Sequence, residues 1–202
     1  MNDGTDGADR IVPLHIELSA LVRRSVATLY SHLVTRPTGE AIRLGIERQI
    51  AEMASLCVSV LDFDRVVVLD YSCADEMVAK LIQRYRTSEA DVYFVARAVG
   101  ESHREPIEAV LERHGLALVA HLADGTPALL GDVDPLEADA WAALERLAVA
   151  DGPAVADAAG LERVRVEAAL ERLCGRRLAL RAPDAGAFLS LSALLGTNGA
   201  GA

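Results

Sequence analysis

The chain has 202 residues and is poor in the features that mark several large functional classes. It has no basic excess. Its net charge is −10, and acids outnumber bases both before residue 132 (19 to 13) and after it (11 to 7). That is the wrong balance for a protein that holds nucleic acid through phosphate neutralisation. It has three cysteines, Cys57, Cys73 and Cys174, odd in number, widely spaced and set in apolar stretches. This argues against a disulfide frame or a zinc motif and for reduced core thiols in a cytoplasmic protein. No apolar run approaches the roughly 18 residues of a membrane helix. There is no glycine-rich phosphate loop, nucleophile elbow or zinc signature, so the sequence reads as non-enzymatic and without a cofactor. The five histidines show no ligand spacing, and His114, near a predicted helix end, reads as a partner of the helix dipole. Asp3, Asp6 and Asp9 do not make a calcium loop.

What is present is enough apolar material for a core: 51% hydrophobic residues at a mean hydropathy of +0.23, with aromatics only 4%. Residues 1–10 and 196–202, acidic and glycine-rich or simply glycine-rich, read as disordered ends. Ile11–Leu18 is compatible with a strand or with the start of a helix running to about Arg24. Ala27–Val34 reads as a strand. Thr38 reads as the N-cap of a helix with Ile42, Ile46, Ile50 and Met53 on one face. Cys57–Phe63 and Val66–Leu69 are β-rich, Val92–Val99 reads as a buried strand, and Leu116–Leu122 as another. Between the last two, Ser102–His114 reads as a helix with Pro106 in its first turn and Gly115 as its stop. Strands alternating with helices predict an α/β layer structure over residues 11–131.

The most informative stretch is Val58–Leu81. Two apolar runs end in Leu61-Asp62-Phe63 and Leu69-Asp70-Tyr71, and Ser72 then opens a helix with Ala74, Met77, Val78, Leu81, Ile82 and Tyr85 as its apolar stripe. A serine at a helix mouth just past a buried strand lies where backbone N–H groups and the helix dipole favour a phosphate. The plain reading of Ser72 is an N-cap. Asp70 reads as a loop-ordering acceptor, and Asp75 and Glu76 as a solvated first turn in preference to a metal pair.

After Gly131-Asp132-Val133-Asp134-Pro135 the composition changes. Residues 132–195 read as helix Leu136–Val149 (with Trp141 in the core), a break at Asp151-Gly152-Pro153, short helix Ala154–Ala159, turn Gly160-Leu161, helix Glu162–Arg176, and strands Leu178–Arg181 and Ala187–Leu191 about a turn at 182–186. This is the order of a winged helix-turn-helix.

Two resemblances follow from these residues. Residues Thr28 to Leu122 resemble a STAS domain, the fold of anti-sigma-factor antagonists. The likeness is strongest to a STAS-like branch with a Ser-Phe-Ala-Asp-Glu motif, here Ser72-Cys73-Ala74-Asp75-Glu76, with Thr35-Arg36 and Gly39 upstream. It implies a mixed sheet with packed helices and a surface at Asp70, Tyr71, Ser72, Asp75 and Glu76 that docks a protein partner, an anti-sigma or kinase-like protein. It also implies that Ser72 is the phosphorylated serine, with Asp70 as the preceding aspartate. Cys73 stands where those antagonists have glycine. The C-terminal part resembles winged helix-turn-helix regulators. That likeness makes Arg163, Arg165, Arg172, Arg176, Arg177 and Arg181 the candidate DNA-phosphate contacts, and a homodimer would present two such helices to successive half-sites. Glu162 stands where those regulators have Ser or Thr, and Arg177 where they have a helix-ending glycine. The same arginines also read as surface charges balancing Glu162, Glu167 and Glu171.

Overall fold

A computed structural model describes residues 23–53, 56–182 and 186–196. The expectations for residues 1–22, for the tail from 197 and for the centre of the turn at 183–185 lie outside them. The described chain forms two compact units that divide between Val133 and Asp134.

In the first unit, strands β1 (Arg23–Thr28), β3 (Cys57–Asp62), β5 (Val92–Val99), β6 (Ala117–Leu122) and β7 (Pro127–Gly131) form one sheet in that order. The first four are parallel; β7 returns antiparallel to β6. Helices make the crossovers: α1 (Arg36–Ala51) from β1 to β3; a helix of three parts, α2 (Tyr71–Ala74), a π segment (Asp75–Ala79) and α3 (Lys80–Arg86), from β3 to β5; and α4 (Glu101–Arg113) from β5 to β6. All of these helices pack on the sheet in a single core. There Ile46, Met77, Leu81, Ile107 and Leu111 meet Leu61, Phe94 and Leu118 in one core. β3 is buried along Cys57–Leu61, which accounts for a run that is apolar but for Ser59. Its end is fastened by Arg97, which donates to both carboxylate oxygens of Asp62 across the β3–β5 pair.

Three local readings change. The expected strand Ala27–Val34 is two strands: β1 ends at Thr28, and β2 (His32–Leu33) pairs in parallel with β4 (Val68–Leu69) in a separate small sheet. An unbroken β-rich run did not show that its two halves take different partners. The cap of α1 is Thr35, not Thr38; the Thr35 side chain accepts from the Thr38 amide. Pro106 is the sixth residue of α4, inside the helix and past the first turn. The hairpin strand β7 was not read from the sequence at all.

The second unit runs α5 (Pro135–Leu147), β8 (Val149–Asp151), α6 (Gly152–Ala159), α7 (Arg163–Gly175), β9 (Ala179–Arg181), β10 (Ala187–Ser190) and α8 (Leu191–Gly196). The strands form an antiparallel sheet in the order β8-β10-β9. Trp141, Leu144, Val155, Val166, Leu170 and Phe188 are buried in it. The sequence reading missed β8 and α8, and Asp151-Gly152-Pro153 starts α6, with Asp151 as its side-chain cap. Arg177 stands just past α7 with φ +61, the left-handed conformation that glycine adopts at lower cost.

On α5, burial holds the Glu145 carboxyl above the usual carboxylate range, against hydrogen bonds from Ser192 and Ser190, and its Oε1 has no partner. A raised folded-state pKa favours the fold below the ordinary carboxylate range and works against it as pH rises through the folded-state value. Glu145→Gln is therefore expected to melt at a higher temperature than wild type at neutral pH. The difference should close at acid pH, as measured by thermal unfolding at both.

Candidate functional site

The small β2–β4 sheet brings two helix starts together. Its register pairs Leu33 with Leu69, and the Asp70 amide donates to the Leu33 carbonyl at 2.8 Å. The loops that follow, Thr35 into α1 and Asp70 into α2, thus leave side by side. The helices then cross closely at Gly39. A Cβ there would lie 2.7 Å from the Cys73 carbonyl oxygen and 2.8 Å from the Glu76 Cβ, well inside contact distance.

Ser72 is not the cap of its helix. Asp70 is: one carboxylate oxygen accepts the Ser72 amide at 2.7 Å and also the Ser72 hydroxyl. Those donations, hydroxyl first, hold the Asp70 carboxyl below its ordinary value. Asp70 is thus the loop-ordering acceptor expected of it, and Ser72 sits one residue inside the helix, partly exposed. Tyr71 is exposed, and its hydroxyl donates to Glu105 at 2.7 Å.

Asp75 and Glu76 overturn the expectation of a solvated first turn. Both are buried, at 9% and 4% exposure. They open the π segment, in which the Lys80 amide reaches back five residues to the Asp75 carbonyl. Asp75 accepts from Arg36 of α1 at 3.1 Å and from His114 Nε2, just past α4, at 2.7 Å. Glu76 accepts from Arg36 at 2.7 Å and from Lys80, and Arg43 lies 3.7 Å from its second oxygen. The Gln83 amide donates to His114 Nδ1 at 3.1 Å, so Nε2 carries the hydrogen given to Asp75. Burial alone would raise both carboxyls. The hydrogen bonds from His114 and Arg36, and from Lys80 and Arg36, outweigh it and hold both below their ordinary values. His114, expected only as a dipole partner, is the third side of this arrangement. Sequence reasoning did not pick out Arg43, Lys80 or His114 as its members. The Glu76–Lys80 spacing of four was the visible signal.

The remaining reactive groups are quiet. All three thiols are free; burial pushes Cys57 and Cys73 up to about 11 and Cys174 to about 12. His103 is buried, accepts from the Gly100 amide and donates to the Val66 carbonyl, and burial lowers its pKa. Among the described residues, no three of His, Cys, Asp and Glu are grouped as metal ligands.

The six arginines of the second unit are not one surface. Arg172 and Arg176 both donate to Glu137, a buried residue of α5, at 2.8 and 2.6 Å. Arg181 pairs with Glu171 and lies over the Phe188 ring. Arg163 is 3.5 Å from Asp157. Arg165 is exposed, and Arg177 occupies the left-handed position past α7. So four of the six pair with acids, and Glu137 and Asp157 stand where the balance with Glu162 and Glu167 was expected.

Comparison with protein-family models, curated proteins and solved structures finds no match to this chain. No helix among the described residues is long and apolar enough to cross a membrane.

Two glycines on one helix provide a test of the close crossing. Gly39→Ala should cost about 1–3 kcal/mol, because backbone atoms must shift to admit the methyl. Gly45→Ala meets nothing within 4 Å and should stabilise the same helix by about 0.5–1 kcal/mol. Urea unfolding of both variants checks the pair. The lowered carboxyls set a pH dependence too. Their contribution is complete above the ordinary values of 3.8 and 4.5 and is lost as pH falls through that range and below it. Asp75→Asn should flatten the acid slope of unfolding free energy between about pH 5 and about pH 3, the window in which such carboxylates protonate.

Proposed function

We propose that this protein is a non-enzymatic bacterial signalling module of the cytoplasm, resembling anti-sigma-factor antagonists. In this reading the Asp70-Tyr71-Ser72 turn and the helix behind it dock a protein partner, and phosphorylation of Ser72 sets the affinity. The observation that carries it is the state of Ser72. Ser72 is partly exposed near the start of a sixteen-residue helical stretch, and its hydroxyl donates to Asp70, beside an exposed tyrosine. A phosphate at this place would add close to two negative charges. It would replace the hydroxyl donation to Asp70 with like-charge repulsion. The turn is held by the Asp70 amide on the Leu33 carbonyl and by the Asp70 carboxylate on the Ser72 amide, neither of which needs the Ser72 hydroxyl, so the change in charge falls on the docking surface while the fold stays in place.

A second reading is supported by the second unit. A helix, strand, two helices and a two-stranded return, with strand order β8-β10-β9, agree with the order of a winged helix. Arg163, Val164 and Arg165 stand exposed on α7. DNA binding through this helix would rest mainly on Arg165 and on Arg163, whose pairing with Asp157 is long and solvent-exposed, since Arg172, Arg176 and Arg181 are held closely by acids.

The proteins captured from native lysate by wild type, Ser72→Ala and Ser72→Asp separate the readings. The switch predicts a protein partner held by wild type and Ser72→Ala and lost by Ser72→Asp. Identical capture by all three contradicts it. Retention on DNA that falls with salt and disappears in the Arg163→Ala, Arg165→Ala double variant would favour the regulator.

A further inference from the structure

We infer that the seam between α1 and the three-part helix is a docking groove for an acidic amphipathic helix of a partner protein. The seam carries charge in two layers. Two buried acids, Glu47 of α1 and Glu76 of the π segment, each pair across it. Arg36 holds Glu76 and Asp75, Lys80 holds Glu76, Arg43 lies against Glu47 and Glu76, and Arg84 reaches Glu47 at 3.2 Å. The side chains of these three acids are only 5–12% exposed, whereas those of Arg36, Lys80 and Arg84 are 53%, 43% and 62% exposed. Solvent therefore meets the bases and not the acids that hold them. Exposed acids are fewer here: Glu40 lies 3.8 Å from Arg43, and Glu52, just past α1, lines a different cavity with Arg23 and Gln49.

Beside these bases opens a cleft of about 610 Å³, lined by Ala41, Leu44, Glu47, Arg48, Ala51 and Arg84. Leu44 is 45% exposed in its wall, and Arg48, one turn further on, is exposed as well. Ala41, Leu44, Arg48 and Ala51 follow one another at spacings of three and four, so they form one stripe of α1, about 15 Å long at 1.5 Å per residue. An apolar stripe at helical spacing accepts a helix with apolar side chains at the same spacing. The bases beside it require acids on that helix, and the match steers encounter and rejects basic partners. A nucleic-acid backbone would gain nothing from Leu44 and would meet the carboxylates directly beneath the bases. The occupant named here goes beyond the proposed function, and the groove holds it whether or not Ser72 is modified.

Fluorescence anisotropy of the full, unphosphorylated chain with dye-labelled helical peptides of about 18 residues, near 27 Å in length, tests it. One peptide has leucine at i, i+3, i+4 and i+7 and glutamate elsewhere; a second has lysine for each glutamate; a third has alanine for each leucine. The leucine–glutamate peptide is expected to bind with a Kd of about 100 µM or tighter, and the other two at least about tenfold more weakly. Leu44→Glu and Arg48→Glu, both at exposed positions, should each weaken that binding by about tenfold or more while leaving the melting temperature and circular dichroism unchanged. Leu147→Glu, at an exposed leucine of the second unit, should bind as wild type does. No binding of the leucine–glutamate peptide, equal binding of the lysine peptide, or wild-type affinity in both groove variants overturns the inference. So does tighter binding of a dye-labelled DNA duplex that both groove variants lose, which would make the seam a phosphate surface. Because Ser72 is unmodified throughout, these outcomes are read separately from whether its phosphorylation controls capture of a partner.

Discussion

Two adjacent carboxylates taken out of water govern the first unit. Removing a charge from solvent costs several kcal/mol per ion unless it is paired and hydrogen-bonded. Asp75 and Glu76 meet that condition only because four bases from three helices converge on them: Arg36 and Arg43 from α1, Lys80 from their own helix, and His114 from the end of α4. The condition runs both ways. α1 must approach closely enough for Arg36 to reach both acids, which requires the bare backbone of Gly39 over Cys73. The central helix must present two consecutive acids to flanking helices on either side, and the π segment that begins at Asp75 is where it does so. With that helix fixed, the turn ahead of it is fixed, and Ser72 and Asp70 take their positions at the surface.

Much of this architecture was legible in the sequence. The alternation of strands and helices, the mostly apolar runs of β3 and β5, broken at Ser59 and Arg97, and the apolar stripe from Ala74 to Tyr85 are patterns that burial enforces directly. The errors share a physical origin. Ser72 and Thr38 were read as caps because hydroxyl residues cap helices; Asp70 and Thr35, two and three residues earlier, hold those positions because the β2–β4 pairing ends each strand sooner. Asp75 and Glu76 were read as solvated because acids in a first turn usually are. Their burial depends on bases brought in from 39 and 40 residues away, and separations of that size leave no periodic trace. The π segment is likewise a consequence of tertiary packing.

In the second unit, charge has been spent on structure. Glu137 is buried on α5 and draws in Arg172 from α7 and Arg176 from just past its end, so a stretch that looks basic on paper has two of its arginines paired with a buried acid. Counting arginines along α7 therefore overstates the positive surface it offers.

The central claim is that Ser72 carries a phosphate that controls docking, and the most direct measurement is phosphopeptide mapping of the protein isolated from its own cells under growing and starved conditions. The account predicts a phosphate on Ser72 whose occupancy changes between the two. A Ser72 peptide recovered in full coverage and unmodified in both would contradict it.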